Sequence, residues 1–215
     1  MNLNALWRNE TLQMICMKKI ILFIGLISIY TANAQFGATN AIYTSAELNM
    51  GNYFGVDLSL NYVYKEKYSF RLAYTGNIRA PKSQPEDYTS GLIGIMFFGL
   101  ANPYDQFENY QIGIGKIYKF NPSGTIRLNL NVGLGYSVIT EPENWAKVDN
   151  SFLVENYTWN THKYDTVSLM INPKIEFPFT RFYGFTLSPM VQISKDRAYF
   201  GIGIGQMIGL LRSRK

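Results

Sequence analysis

Residues 125–140 read T-I-R-L-N-L-N-V-G-L-G-Y-S-V-I-T and alternate between apolar and polar side chains at almost every step. Successive strand residues point to opposite faces, so this segment predicts a β-strand with one apolar and one polar face. Strands of soluble sheets are usually about 5–6 residues long, whereas a tilted strand needs roughly 9–11 residues to cross a bilayer. The segment is therefore long enough to cross a membrane, with its apolar face toward lipid.

The same alternation recurs along the chain and predicts eight strands in all. They are 41–50, 55–65, 68–77, 109–120, 125–140, 165–178, 182–194 and 198–210. Bacterial single-chain barrels have an even number of antiparallel strands. The pattern therefore predicts an all-β fold, an antiparallel up-and-down transmembrane β-barrel. The rival interpretation is a soluble lipocalin-like barrel, whose apolar faces would point inward around a ligand.

Residues 91–100, G-L-I-G-I-M-F-F-G-L, are apolar on both faces and would raise the strand count if they crossed the membrane. With the start of the barrel in the periplasm, the short turns on that side are 65–67, 121–124 and 178–181. The long segments 76–108 and 140–164 then both lie outside, but only if 91–100 is part of the outer loop, as a hairpin or cap. We therefore favour eight strands over ten. Aromatic residues crowd the three short turns, as a girdle at the membrane boundary should.

Three residues interrupt the alternation. Lys116 falls on the apolar face of its strand, which predicts either a bulge or a position at the membrane boundary. Pro173 and Pro189 lie in the middle of strands, where a missing amide donor weakens the ladder. We expect bulges at both prolines.

Residues 17–34 have the three parts of a secretory signal peptide, namely two lysines, an apolar run and a small-residue cleavage site before Gln35. The apolar run is shorter than the ~20 residues that a membrane-spanning helix needs. We expect residues 1–16 to be an over-extended reading frame and residues 35–215 to be the barrel domain. Cleavage would remove Cys16, the only cysteine, so the mature chain is expected to hold no disulfide and no cysteine metal site.

The polar faces of the predicted strands carry charges of both signs. The residues concerned are Glu47, Asp57, Arg71, Arg127, Lys174 and Glu176. The interior of an eight-stranded barrel is just wide enough for side chains to fill it, and unpaired buried charges are costly. A plugged polar network is therefore the favoured interpretation, and a narrow porin-like passage for small solutes is the alternative.

Other kinds of site have little support. The glycine pairs lie within strands and open no helix, so they do not predict a nucleotide-binding loop, and we expect no cofactor. His162 is the only histidine, which excludes a multi-histidine metal site. His162, Asp165 and Ser168 are the one candidate set for an outer-leaflet lipid-modifying enzyme, although Asp165 would point away from the other two. The net charge of +5 comes without a basic cluster outside the C-terminus, so no nucleic-acid partner is expected.

With its leader, eight alternating runs, short inner turns and long outer loops, the chain resembles small outer-membrane β-barrel proteins of the eight-stranded porin-like superfamily. The resemblance covers roughly residues 37–211. It implies insertion into the outer membrane of a Gram-negative cell, with outer-membrane lipid and the barrel-assembly machinery as partners. Members of this group variously anchor the envelope, adhere, admit small solutes or modify lipids, so the fold does not choose among these roles.

The predicted outer loop 140–164 is long and rich in aromatic residues: Trp145, Phe152, Tyr157 and Trp159. Ordered loops beyond about 12–15 residues are uncommon unless they are functional or disordered, and this loop is too apolar for a disordered linker. Trp and Tyr are favoured anchors at binding surfaces. We therefore expect a barrel with a structural or surface-interaction role and no catalysis, whose loop contacts an extracellular ligand. The alternative is that these aromatics pack over the barrel mouth or enter the outer lipid boundary.

Overall fold

A computed structural model describes residues 39–96, 102–148 and 153–212, and these ranges contain eight strands and one short helix. The elements are β1 (Ala41–Gly51), β2 (Phe54–Tyr64), β3 (Tyr68–Arg79), α1 (Gly91–Met96), β4 (Asp105–Lys119), β5 (Arg127–Lys147), β6 (Tyr157–Phe177), β7 (Tyr183–Ser194) and β8 (Ala198–Leu210). Each strand pairs antiparallel with its neighbours in sequence, and β1 pairs with β8, so the sheet closes into an up-and-down barrel. The prediction of eight strands is confirmed.

The predicted signal peptide and over-extended start, residues 17–34 and 1–16, lie outside the described residues and stay predictions. Within the described part of the chain, no helix is long and apolar enough to cross a membrane.

The apolar face of the barrel wall points outward and the polar face points into the lumen. Leu72, Ile112 and Leu134 lie side by side on neighbouring strands, and each is more than half exposed. The residues that precede Leu72 and Ile112 in their strands, Arg71 and Gln111, are almost fully buried in the lumen. A soluble barrel would bury the apolar face instead, so the lipocalin-like interpretation is overturned and the outer surface is suited to acyl chains.

Two groups of aromatic residues bound this apolar surface. Tyr74, Tyr110 and Tyr136 form one cross-strand row at the end of the barrel that carries the long connections. Tyr118 lies near the other end of β4, beside the short turns. At about 3.3 Å per residue and the usual strand tilt, the eight residues from Tyr110 to Tyr118 span roughly 20 Å across the membrane, close to the ~25 Å apolar band of outer-membrane barrels.

The pairing registers settle the three interruptions of the alternation. Lys116 pairs in unbroken register with Tyr68 and Leu130, lies on the outer surface, and places its Nζ 5.1 Å from the ring centroid of Tyr118. It therefore extends toward the membrane boundary, as predicted, without a bulge. The prediction of bulges at Pro173 and Pro189 is wrong, because β6 and β7 keep one register on both sides of the two prolines.

The connections agree with the prediction at one end of the barrel and differ at the other. The three short turns all lie at the end where β1 begins and β8 stops. At the opposite end, the prediction that residues 140–164 form a loop is wrong, because β5 continues to Lys147 and β6 begins at Tyr157. Residues 91–96 of the apolar segment form α1 and no spanning strand, while residues 97–101 lie outside the described part.

Replacing Val132 by arginine should destabilise the barrel, because Val132 faces lipid and pairs with Ile114, midway between Tyr110 and Tyr118. A lipid-facing arginine near the bilayer midplane costs about 2–4 kcal/mol. Urea unfolding of the protein in phospholipid vesicles measures this free energy. Thr158→Arg is the matched control, since Thr158 is exposed on β6 beyond the end of its pairing with β7, and its unfolding midpoint should stay near that of the wild type. Equal midpoints for both variants would contradict the assignment of the membrane belt.

Candidate functional site

Three ion pairs lie in the lumen, and they use all six charged residues singled out in the sequence. The pairs are Asp57 with Arg71, Glu47 with Lys174, and Glu176 with Arg127. The Lys174 Nζ to Glu47 Oε1 distance is 2.5 Å, and the Arg127 Nε to Glu176 Oε2 distance is also 2.5 Å. All six side chains are buried, so each charge is compensated inside the barrel.

Neutral side chains connect these pairs to other strands. The Tyr43 hydroxyl donates to Glu176 Oε1 at 2.6 Å, and Asn129 Nδ2 donates to the same oxygen at 2.9 Å. Thr186 Oγ1 donates to Glu47 Oε1 at 2.9 Å. The sequence analysis did not single out Tyr43 or Thr186, although both lie on the polar faces of their strands, where the alternation places them.

Two apolar layers lie on either side of the Asp57–Arg71 and Glu47–Lys174 pairs. The Arg127–Glu176 pair lies within the layer nearer the short turns, where Arg127 Nη1 donates to the Leu211 carbonyl oxygen at 2.8 Å. The layer nearer the short turns consists of Ala41, Tyr43, Val63, Ile117, Met207 and Leu211. The layer nearer the outer end consists of Tyr53, Phe107, Ile139, Met170, Met190 and Tyr199. Every member is at least nine-tenths buried, so side chains fill the lumen on both sides of the two central pairs. Apolar side chains therefore close the lumen on both sides of a polar core.

A close approach between strands makes room for part of the outer layer. Gly113 and Gly133 oppose each other on β4 and β5, with their missing side chains toward the lumen. A Cβ on Gly133 would lie 2.5 Å from the carbonyl oxygen of Ile112 and 3.0 Å from the Met170 methyl carbon. Glycine at this position therefore lets the large Met170 side chain lie across the lumen.

At the outer end, β5 and β6 continue beyond the barrel as a two-stranded hairpin. β5 pairs with β4 only as far as Thr140, and β6 pairs with β7 only from Ser168 onward. Residues 141–147 of β5 therefore project past β4, by about 23 Å at ~3.3 Å per residue. A register shift between Glu143 and Ala146 bends this projecting part. We call residues 141–148 and 153–163 the outer hairpin.

The connection between β3 and β4 is bonded to one face of the outer hairpin. Trp145 Nε1 donates to Ser83 Oγ at 3.1 Å. Asp87 receives two bonds, from Lys147 Nζ at 2.6 Å and from the Tyr157 hydroxyl at 2.6 Å. These contacts join residues more than fifty positions apart in the chain and hold the connection and the hairpin together as one unit.

Aromatic rings fill the space between the connection and the hairpin. Trp145 lies 5.4 Å from Trp159, 6.3 Å from Tyr157 and 5.6 Å from Tyr88, measured between ring centroids. All four residues are half-buried. Three of the four aromatic residues predicted for recognition thus pack together, Phe152 lies outside the described residues, and the sequence analysis missed Tyr88. The alternation of Tyr157 and Trp159 with Thr158 and Asn160 was the signal for a strand here.

The opposite face of the outer hairpin is open and polar. Side chains alternate along a strand, so Thr158, Asn160 and His162 of β6 point away from Tyr157 and Trp159. All three are exposed. His162 Nδ1 lies 3.7 Å from Glu143 Oε1 on β5, and the His162 ring contacts Tyr164 with 5.4 Å between centroids.

The residues considered for lipid modification do not form one site. Ser168 is buried in the lumen, where its hydroxyl accepts a hydrogen bond from Asn109 Nδ2 at 2.8 Å. Asp165 lies on the outer surface and is hydrogen-bonded to Tyr136. His162 lies six residues before Ser168 on β6, roughly 20 Å along the strand. The nucleophile, base and orienting carboxylate of an acyl-transfer site are therefore not brought together.

A closed antiparallel barrel with eight strands, an apolar outer belt and a polar lumen is an architecture of the bacterial outer membrane. The protein is an eight-stranded outer-membrane β-barrel protein, as the sequence predicted. No family model and no curated protein matches the chain.

Several solved structures are similar to the chain. The outer-membrane protein Ail of Yersinia pestis in a phospholipid nanodisc is 12% identical, with a TM-score of 0.45 and coverage of 79% of this chain and 99% of that chain. The N-terminal β-barrel domain of Pseudomonas aeruginosa OprF is 13% identical, with a TM-score of 0.46 and coverage of 79% and 96%. Neisserial surface protein A is 12% identical, with a TM-score of 0.45 and coverage of 80% and 97%. The fold assignment itself rests on the closed ladder and the polarity of its two faces.

Breaking the Asp57–Arg71 pair should cost about 3–5 kcal/mol of unfolding free energy, because the remaining charge would be buried without a partner. Arg71→Met and Asp57→Leu are the single variants, and chemical unfolding in vesicles is the measurement. The double variant should recover most of the loss, since it leaves no unpaired charge. Additive losses in the double variant would show that the two side chains do not act as a pair.

Hydrogen bonds from Lys147 and Tyr157 hold the pKa of Asp87 below its usual value, and the same bond to Asp87 raises the pKa of Tyr157. A lowered carboxyl pKa means that this contact contributes fully above the ordinary aspartate pKa and is lost as the pH falls through the lower, folded value.

Acidification below about pH 4 should therefore loosen the connection from the outer hairpin. Trp145 and Trp159 are the only tryptophans after residue 34, so the emission of protein beginning at Gln35 reports this change. A red shift is expected in the wild type. Asp87→Asn should lack this acid transition and should already resemble the acid form near neutral pH. The same acid-induced shift in both proteins would contradict the role of Asp87.

Proposed function

We propose that this barrel is a surface-interaction protein, which holds the outer hairpin rigidly above the membrane so that its open polar face contacts an extracellular ligand. The observation that carries the proposal is the bonding of the β3–β4 connection to the hairpin by Ser83 and Asp87. Holding a two-stranded projection in one conformation lowers the entropy cost of binding, which favours a recognition role.

Within this proposal, the aromatic residues and the polar residues have different tasks. Trp145, Tyr157 and Trp159 are half-buried between the connection and the hairpin, so they hold the hairpin in place. The exposed side chains of Asn160 and His162 on the other face offer hydrogen-bond donors and acceptors to a ligand. The ligand therefore contacts mainly the polar side chains, and the exposed edges of the aromatic rings lie at the border of this contact surface.

The lumen supports a structural role for the barrel itself. A passage for solutes would need a continuous aqueous path, and apolar side chains cross the lumen on both sides of the Asp57–Arg71 and Glu47–Lys174 pairs. The charged side chains of the lumen are paired with one another, so they are not available to replace the water around a permeating ion. The barrel is thus the membrane-embedded support of the hairpin.

Two proteins in nanodiscs test this proposal, the wild type and a shortened variant in which residues 143–160 are replaced by Asn-Gly between the paired residues Pro142 and Thr161. Both are applied to arrays of glycans and of extracellular matrix proteins. We expect binding to a restricted set of spots by the wild type and its loss in the variant, with an unchanged unfolding midpoint of the barrel. Binding that survives removal of the hairpin would overturn the proposal.

The same two proteins are reconstituted into planar bilayers as the control for transport. Neither should give reproducible conductance steps. Steady steps from the wild type would replace the recognition role by passage of small solutes.

A further inference from the structure

The wall of the barrel lacks ladder hydrogen bonds at one place, between β6 and β7. Ile171 pairs with Val191 and Ile175 pairs with Leu187, in the same register, so Pro173 lies directly opposite Pro189. Neither proline has an N–H group to donate. Three consecutive positions on each strand are consequently without ladder pairing. We call this break the β6–β7 seam.

The seam lies inside the membrane belt. Pro173 is four residues from Phe177, Pro189 is four residues from Phe185, and these two aromatic residues pair with each other at the end with the short turns. Ile171 and Val191, on the other side of the prolines, are exposed on the lipid face. Hydrocarbon offers no partner to a backbone group that lacks one, so the missing ladder bonds weaken the wall at this place.

A lumen side chain takes over one of the missing contacts. Asn172 Nδ2 donates to the carbonyl oxygen of Pro189 at 2.9 Å, across the seam. Asn172 is almost fully buried and reaches Pro189 from the lumen side. A side-chain bond therefore substitutes for part of the backbone ladder at this point.

A second device joins the two sides of the seam from across the lumen. Glu47 of β1 contacts both strands through one oxygen, Oε1. Lys174 Nζ of β6 lies 2.5 Å from this oxygen, and Thr186 Oγ1 of β7 donates a hydrogen bond to it at 2.9 Å. One carboxylate thus bridges the strands that the prolines fail to join. By contrast, the ladder between the terminal strands β1 and β8 is continuous over ten pairs.

We propose that the barrel opens sideways at the β6–β7 seam, with Asn172 and Glu47 as the two contacts that keep it closed. Opening here joins the polar middle of the lumen to the acyl region of the bilayer. The apolar layer nearer the short turns stays in place, because none of its members lies on β6 or β7. Met190 of the outer layer follows Pro189 and lies at the edge of the opening. The lumen then exchanges with the membrane laterally, and the route is independent of the outer hairpin.

Hydrogen–deuterium exchange of the wild type in nanodiscs tests the seam. Amides in residues 186–192 of β7 should exchange about tenfold or more faster than those in residues 128–134 of β5, which lie within an unbroken ladder. The double variant Pro173→Val, Pro189→Val restores both donors and should remove this difference. Equal exchange of the two segments in the wild type would overturn the proposal without any variant.

Single asparagine variants test whether the Asn172 hydrogen bond itself keeps the seam closed, or whether loss of any buried asparagine loosens the lumen. Asn172→Leu should speed exchange at the seam further. Asn131→Leu is the matched control, since Asn131 is also buried in the lumen but bonds to Ser69 on β3. Faster seam exchange in both variants, or in neither, would contradict the proposal that Asn172 keeps the seam closed.

Cysteine labelling gives an independent readout, because Cys16 is the only native cysteine and precedes Gln35. Ser188→Cys, in protein beginning at Gln35, places a thiol in the lumen behind the seam, and Ser59→Cys places one in the lumen on β2. A lipid-soluble maleimide should label position 188 much faster than position 59. The difference should vanish when both prolines are valine, and equal labelling in the native background would exclude lateral opening.

Discussion

The need to pair every backbone N–H and C=O group inside a bilayer is the constraint on which this structure depends. Hydrocarbon offers no partner for these groups, so a spanning sheet has to close on itself. Here the ladder between β1 and β8 completes that closure with ten consecutive pairs. The outward apolar face and inward polar face follow from the strand alternation once the ladder is closed. The two opposed prolines break this rule locally, and the Asn172 amide is the compensation.

The size of the closed ladder then determines the lumen. Eight strands leave an interior that side chains fill, so charges placed there are out of reach of bulk water. The protein meets this cost with three ion pairs, and with neutral donors such as Tyr43 and Thr186 on the carboxylates. Two of the pairs lie between apolar layers that exclude water from them, and the Arg127–Glu176 pair lies within the layer nearer the short turns. A polar core held in this way gives the barrel a rigid support for whatever lies above it.

The outer hairpin shows how a membrane barrel stabilises structure outside the membrane. Beyond Thr140, β5 has no partner on the β4 side, and a lone two-stranded hairpin is only marginally stable in water. The β3–β4 connection supplies the missing packing through Tyr88 and the missing hydrogen bonds through Ser83 and Asp87. One face of the hairpin is covered as a result, and the other stays free for contacts with molecules outside the cell.

The sequence by itself determined the strand alternation, the count of eight, the three short turns and six of the charged residues that face the lumen, because period-two patterning and charge are local properties that survive in any register. It missed the outer part of β5 and β6, since Trp145, Tyr157 and Trp159 were interpreted as a loop. It also predicted bulges at Pro173 and Pro189. Which charge pairs with which, that the two prolines face each other, and that Asp87 bonds to the hairpin were decided by the tertiary structure alone. These contacts join residues far apart in the chain, and only the register of the closed ladder brings them within hydrogen-bonding distance.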